Sequence, residues 1–206
     1  MQKPVIKRSL KPLFFIIPVF FFVFFLFNTN TYAQTDEKKD FLTSFGKGKI
    51  TVRLYADYFC GPCSYLEPQI EPVIQKLVKK NIVNVTFIDV PFYKHSSMYV
   101  KYFLYALNEK KDLEHTFKVK TVLFNAAKER IIDPSGLEAY LKKNSISIKP
   151  FDEKYIYDVF ERFMNREDKI NATPSCVIIK GDKKETFKGA RDIINALEGL
   201  NQEYSR

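Results

Sequence analysis

The sequence has few cysteines, three in 206 residues, and this number limits what they can do. Three thiols form at most one pair with one thiol left over, whereas an exported domain stabilised by disulfides normally uses more. Cys60 and Cys63 are separated by only two residues, so a disulfide between them closes a loop too short to stabilise the fold much. A reactive role therefore explains this pair better than a structural one.

The sequence also lacks the patterns that two other functions need. No block of basic residues is interleaved with aromatic ones, which argues against nucleic-acid binding. A tetrahedral zinc site would need a second pair of ligands at short spacing, and His95, His115 and Cys176 do not provide one. Metal binding remains an alternative for the two cysteines, but no metal and no cofactor is expected.

The N-terminus has the order of a secretory signal. Four cations within the first 11 residues precede an apolar run, Leu13 to Phe27, and small residues at Thr31 and Ala33 predict cleavage after Ala33. The run is about 15 residues long, shorter than the roughly 20 that span a bilayer, and it contains Pro18. The prediction is a cleaved signal peptide over residues 1–33 and a location outside the cytoplasm; an uncleaved membrane anchor is the alternative.

The pattern after the signal predicts an α/β fold. Residues 34–47 are polar and are predicted to be a flexible lead-in, and residues 49–56 and 83–90 are rich in β-branched side chains, as strands are. Between these strands, apolar residues recur at helical spacing from Ser64 until Asn81. A strand, a helix and a second strand in this order form a β-α-β unit with parallel strands.

The rest of the chain is first helical and then returns to strands. Residues 96–170 predict four helices, with breaks near 111–112, 133–136 and 144–150. Residues 176–187 read as two strands around the turn Gly181-Asp182, and residues 190–202 as a final amphipathic helix.

Two thiols two residues apart at the start of a helix are suited to reversible disulfide exchange. The first lies at the positive end of the helix dipole, where a thiolate is favoured. Cys60 is therefore predicted to be the nucleophile, and Cys63, one helical turn further in, to resolve the mixed disulfide. Pro62 fits a first helical turn, and Gly61 keeps the approach to the sulfur uncrowded.

The arrangement resembles the DsbA-like thiol-disulfide oxidoreductases of the thioredoxin superfamily. The run DYFCGPC at residues 57–63 follows a strand, a helical block comes next, and Thr173-Pro174 precedes a hairpin and a helix. The resemblance implies a thioredoxin-like domain over residues 48–95 and 171–206, with a helical insertion over residues 96–170. It also implies that Pro174 is cis and faces the Cys60 sulfur, with Thr173 binding a substrate segment.

Two positions depart from that family. Many relatives carry an acidic proton acceptor six residues before the first cysteine, where this chain has Leu54. Asp57 is a candidate replacement, or else a solvated turn residue that caps the helix. The dipeptide Gly61-Pro62 is that of reducing thioredoxins rather than of DsbA, which leaves the direction of exchange open.

The predicted function is an extracytoplasmic thiol-disulfide oxidoreductase, a DsbA-like oxidase of exported proteins. The resemblance implies a membrane redox partner, a reoxidase or a reductase, and no nucleic-acid partner. A reductase or isomerase with the same site, and a non-enzymatic chaperone or metal-binding module, are the alternatives. Cys176, on an apolar strand, is predicted to be a buried inert thiol. The alternative is that it lies next to the active pair and can be glutathionylated or form a wrong disulfide.

Overall fold

A mixed five-stranded sheet carries the fold in the computed structural model, which describes residues 42–204. The predicted signal peptide at residues 1–33 lies outside these residues. In spatial order the sheet is β1-β3-β2-β4-β5. The strands are β1 (Ser44–Phe45), β2 (Ile50–Ala56), β3 (Val83–Asp89), β4 (Ser175–Lys180) and β5 (Lys183–Lys188).

The predicted β-α-β unit is confirmed. Strands β2 and β3 are parallel, and helix α1 (Gly61–Lys79) connects them. Both strands are mostly buried, because helices cover the sheet in such a unit. The helix begins at Gly61, within the cysteine motif, so the carboxyl end of β2 leads directly into Cys60.

The sheet begins earlier in the chain than the sequence predicted. Strand β1 lies inside residues 34–47, the predicted flexible lead-in, and pairs antiparallel with β3. Its hydroxyl at Ser44 hydrogen-bonds that of Thr86 at 2.7 Å, and Phe45 packs on Phe87. The lead-in is therefore not flexible at residues 44–45. The sequence did not predict this strand because it has only two residues, its neighbours are polar, and it pairs with residues about 40 positions away.

Four helices follow β3, as predicted: α2 (Ser96–Glu109), α3 (Leu113–Lys128), α4 (Pro134–Lys143) and α5 (Lys154–Glu161), the last continuing as a π-helical turn over Arg162–Glu167. The first two of the three predicted breaks are helix starts, and the third, at 144–150, lies between α4 and α5. Asp112 accepts a hydrogen bond from the His115 N–H at 2.7 Å, and Asp133 accepts one from the Gly136 N–H at 2.8 Å. Each carboxylate satisfies a donor at the N-terminus of its helix.

The chain returns to the sheet through a buried carboxylate. The Asp168 side chain is fully buried and accepts hydrogen bonds from Tyr55 and, at 3.0 Å, from Arg53, while Lys184 forms an ion pair with it. Side chains of strands β2 and β5 thus bind Asp168, which lies in sequence between the helical block and β4.

The last elements are the hairpin β4-β5 and helix α6 (Ala190–Glu203), which contacts α1. Helix α1 also contacts α3, so it packs against one helix of the helical block and against the helix that follows the hairpin. No helix within residues 42–204 is long and apolar enough to span a membrane.

Candidate active site

Cys60 and Cys63 lie at the first turn of α1, both as free thiols. Cys60 has extended backbone geometry and occupies the N-cap position, where its sulfur accepts a hydrogen bond from the Cys63 N–H at 3.3 Å. Pro62 stands in the first turn, where a missing N–H costs no helical hydrogen bond. The sulfur of Cys60 therefore takes the place of the oxygen that usually caps a helix, and the helix dipole favours its anionic form.

The two thiols have opposite acidities. A hydrogen bond from Cys63, with smaller contributions from Thr173 and from the Cys63 N–H, lowers the pKa of Cys60 to about 6 against the opposing effect of burial. The same hydrogen bond together with burial raises the pKa of Cys63 far above its usual value. At neutral pH the reduced site therefore holds a Cys60 thiolate next to a Cys63 thiol.

Thr173 and Pro174 lie against Cys60 although 113 residues separate them in sequence. The Cys60 Sγ is 3.4 Å from the Thr173 carbonyl oxygen, and the Thr173-Pro174 peptide bond is cis, as expected. Pro174 is fixed in turn because its carbonyl accepts a hydrogen bond from the Gly189 N–H at 3.0 Å. The backbone ahead of β4 thus forms one side of the site.

Asp57 is neither a solvated turn residue nor the cap of α1, which corrects one of the two readings of this residue. Its carboxylate is 1% exposed and accepts four hydrogen bonds, so it organises the segments around the cysteines. Burial raises its pKa against the effect of these bonds. Both oxygens are occupied, which makes Asp57 poorly placed to take a proton from Cys63. The donors are the backbone N–H groups of Phe59, Phe92 and Tyr93 and the hydroxyl of Ser96.

A buried charged cluster lies beneath the cysteines, and sequence reasoning missed it. The Lys120 Nζ is 3.1 Å from Asp89 and 3.9 Å from Glu67, and the Tyr58 hydroxyl donates to Asp89 at 2.8 Å. One oxygen of Glu67 has no hydrogen-bond partner, and burial raises the pKa of this carboxyl to about 7. Lys120 also interacts electrostatically with Cys63.

The sequence held one signal for this cluster. Glu67 is four residues after Cys63 on the buried face of α1, and Lys120 stands between Phe117 and Leu123 on the buried face of α3. A charged residue on an apolar helical stripe needs a partner, because burying an unpaired charge is costly. The pattern does not reveal which helix supplies that partner.

Leu54 and Cys176 are neighbours on adjacent strands. They are paired in register between β2 and β4, and both are buried. Burial raises the pKa of the Cys176 thiol well above its usual value, so this thiol stays protonated and unreactive. The structure favours the inert reading of Cys176.

An open groove of about 580 Å³ runs beside Cys60. The residues that line it come from the cysteine motif and the start of α1 and from the end of α3 and the residues just after it; they include Phe59, Ser64, Tyr65, Lys128 and Arg130. Gly61 also borders the groove, and a side chain added there would meet no atom within 4 Å. The approach to the Cys60 sulfur is thus uncrowded, as the glycine suggested. Within residues 42–204, no group of three or more His, Cys, Asp or Glu side chains could hold a metal ion.

Comparison with known proteins places this site in a family. The thioredoxin family model matches residues 46–198, whereas a search of curated protein sequences finds no match. The fold is similar to a periplasmic thioredoxin-like protein from Salmonella enterica serovar Typhimurium at TM-score 0.56 and 22% identity, covering 78% of this chain and 87% of that one. It is also similar to the catalytic domain of Proteus mirabilis ScsC at 0.57 and 22%, covering 78% and 86%.

A third similar structure is Wolbachia pipientis alpha-DsbA1, at TM-score 0.58 and 17% identity, covering 78% of this chain and 91% of that one. The α/β architecture with a helical block after β3 is thus a thioredoxin-like fold of the DsbA-like type, as the sequence predicted. The matched residues include Cys60, Cys63 and the Thr173-Pro174 bond. The chain belongs to the thioredoxin family.

Proposed function

We propose that the protein is an extracytoplasmic thiol-disulfide oxidoreductase that oxidises exported proteins through Cys60 and Cys63. The observation that carries this proposal is the asymmetry of the two thiols, a Cys60 thiolate with a pKa of about 6 at the helix start and a protonated Cys63 behind it. A pair used only as a structural link would not need such different acidities.

In the oxidising direction, a substrate thiolate attacks the Cys60 sulfur of the Cys60-Cys63 disulfide. A bond forms between the substrate sulfur and Cys60, and Cys63 leaves as a thiolate that takes up a proton. A second substrate thiolate then attacks the substrate sulfur of the mixed disulfide, and Cys60 leaves as a thiolate. The substrate loses two electrons to the cysteine pair, which a membrane partner, a reoxidase in this direction, must oxidise again.

The low pKa of Cys60 supports oxidation over reduction. Whatever stabilises the Cys60 thiolate stabilises the reduced protein, and this makes its disulfide a stronger oxidant. The second candidate, a reductase or isomerase with a membrane reductase as partner, is favoured by the dipeptide Gly61-Pro62. The two candidates share every residue of the site and differ in redox potential.

Thr173 is proposed to bind the substrate backbone. It is partly exposed, precedes β4 and holds its carbonyl against the Cys60 sulfur. An extended substrate segment could pair with this backbone as an added strand, which would bring its cysteine to Cys60. Pro174, held by Gly189, would support that edge.

The location outside the cytoplasm rests on the N-terminal sequence. The basic residues and the apolar run before Ala33 are typical of an export signal. One of the similar structures is that of a periplasmic thioredoxin-like protein, which agrees with this location.

The redox equilibrium of the Cys60/Cys63 couple against glutathione tests the proposal. A potential between about −200 and −120 mV is expected, and a value near the −270 mV of thioredoxin would contradict the oxidase. Cys60→Ser should abolish oxidation of a dithiol peptide, and Cys63→Ser should accumulate mixed disulfides; full activity of both variants would refute the mechanism. Tightly bound stoichiometric metal in the reduced protein, without any disulfide exchange, would instead indicate a metal-binding module.

A further inference from the structure

The groove beside Cys60 is built from two distant parts of the chain. The motif and the start of α1 supply Phe59, Ser64 and Tyr65, and the end of α3 supplies Lys128 and Arg130. Because Cys60 lies on its border, a segment that brings a sulfur to Cys60 also lies against the end of α3. Its volume of about 580 Å³ accommodates a few side chains of a peptide segment.

The charge of the groove has one sign. Lys128 and Arg130 are exposed, and no acidic residue lines the groove. Glu129, between them in sequence, accepts a hydrogen bond from the Tyr140 hydroxyl at 2.8 Å and so turns toward α4. Lys128 is in the last turn of α3, and Arg130 lies two residues beyond its end with a left-handed backbone, φ 56°.

Some surface cations of the protein already have a carboxylate partner. Lys110, Lys154 and Lys180, for example, each form an ion pair with a carboxylate at 2.6–3.0 Å. Within residues 42–204, neither Lys128 nor Arg130 forms an ion pair or a side-chain hydrogen bond. Both remain available to a carboxylate that enters the groove from another molecule.

An exposed aromatic ring lines the same groove as these cations. Tyr65 is 65% exposed and can pack on a segment held in the groove. A groove with aromatic and cationic side chains suits an extended segment with an acidic side chain near its cysteine.

We propose that this groove selects protein segments that carry Asp or Glu within about three residues of the reacting cysteine, through Lys128 and Arg130. The inference rests on the proposed disulfide exchange and names the substrate class of that site. The carboxylate would steer the segment and hold it while the sulfurs react. Exposed pairs of this kind contribute little each, so the preference is expected to be about three- to tenfold and to weaken with salt.

The test measures how fast Cys60 reacts with matched peptides in the Cys63→Ser background, where the product is trapped. Peptides with one cysteine, activated as a thiopyridyl disulfide, differ only in an Asp, Asn or Lys two residues away. The Cys60 thiolate attacks the peptide sulfur, thiopyridone leaves, and its absorbance gives the second-order rate. Each rate is divided by that of the same variant with dithiodipyridine, which corrects for the reactivity of Cys60 itself.

We expect the order Asp, Asn, Lys at low salt, with an Asp to Lys ratio of about tenfold that falls to about twofold in 0.5 M NaCl. The double variant Lys128→Ser and Arg130→Ser should bring the ratio close to one. The matched control is Lys76→Ser with Lys79→Ser, which removes the same charge from the last turn of α1, about 25 Å along the helix from Cys60, and should keep the ratio.

Equal rates for the three peptides, or a ratio that survives the groove variant, would overturn the inference. Loss of the ratio in the control variant would do the same, because net charge rather than the groove would then be responsible. Failure of the proposed function looks different: Cys60 would then react with none of the peptides, whatever their charge.

Discussion

Replacing Cys63 by alanine should raise the pKa of Cys60. The largest contribution to the low pKa of Cys60 is the hydrogen bond from the Cys63 thiol, and alanine removes that donor. The Cys63 backbone N–H and Thr173 remain, so the pKa should rise by at least one unit rather than return to the usual value of about 8.5.

The change in reactivity follows from the ionised fraction. With a pKa of about 6, about half of Cys60 is thiolate at pH 6. After a rise of one unit the fraction falls to about a tenth, so alkylation at pH 6 should slow about fivefold. Serine at position 63 keeps a donor of similar reach, so Cys63→Ser should shift the pKa less than Cys63→Ala.

The assay is alkylation of the reduced protein by iodoacetamide between pH 4 and pH 9, with the labelled cysteine identified by mass spectrometry. Cys176→Ala is the matched control, because Cys176 is buried and makes no contribution to the pKa of Cys60. A Cys63→Ala profile that superimposes on that of the unaltered protein would refute the reasoning, and the low pKa would then have to come from the helix terminus alone.

Three further predictions concern other parts of the protein. Thr173→Val should raise the pKa of Cys60 by less than Cys63→Ala does, because Thr173 contributes less; a larger rise in the same alkylation assay would reverse this order. The raised pKa of Glu67, about 7, favours the folded protein below about pH 4 and costs stability as the pH rises through 7. Glu67→Gln should therefore be more stable than the unaltered protein at pH 8, by up to about 3 kcal/mol, and lose this advantage toward pH 4 in urea unfolding. Glu71→Gln should show a smaller change in the same direction, because the pKa of the half-buried Glu71 is also raised by burial; a pH-independent difference for Glu67→Gln would contradict this. The exported protein should begin at Gln34, and N-terminal sequencing that finds an intact Met1 would favour the membrane anchor.

The fold was largely readable from the sequence because its signals are local. Alternating and helical spacing of apolar residues depends on neighbours a few positions apart, and it predicted α1, the β-α-β unit and the terminal hairpin within a residue or two. The exception, β1, is too short for any period and exists only because β3 offers it an edge.

The candidate site, too, was predictable only where its features depend on residues close in sequence. The sequence alone determined that Cys60 caps a helix, since strand, turn residues and helix follow one another without interruption. It did not determine that Asp57 is buried, because the four donors to its carboxylate include groups 35 to 39 residues away.

Only the tertiary structure decided what surrounds the two sulfurs. The packing of α3 on α1 brings Lys120 close to Glu67 and lets Lys128, Arg130 and Tyr65 line the same groove. The fold also brings the Thr173 carbonyl to within 3.4 Å of the Cys60 sulfur. Local periodicity determines which residues form an element and which face is apolar, but the meeting of two elements depends on side-chain packing summed over the whole core. The sequence alone therefore indicated Cys60 and Cys63 as the candidate reactive pair, and the packing decided the acidity of these thiols and the charge of the groove beside them.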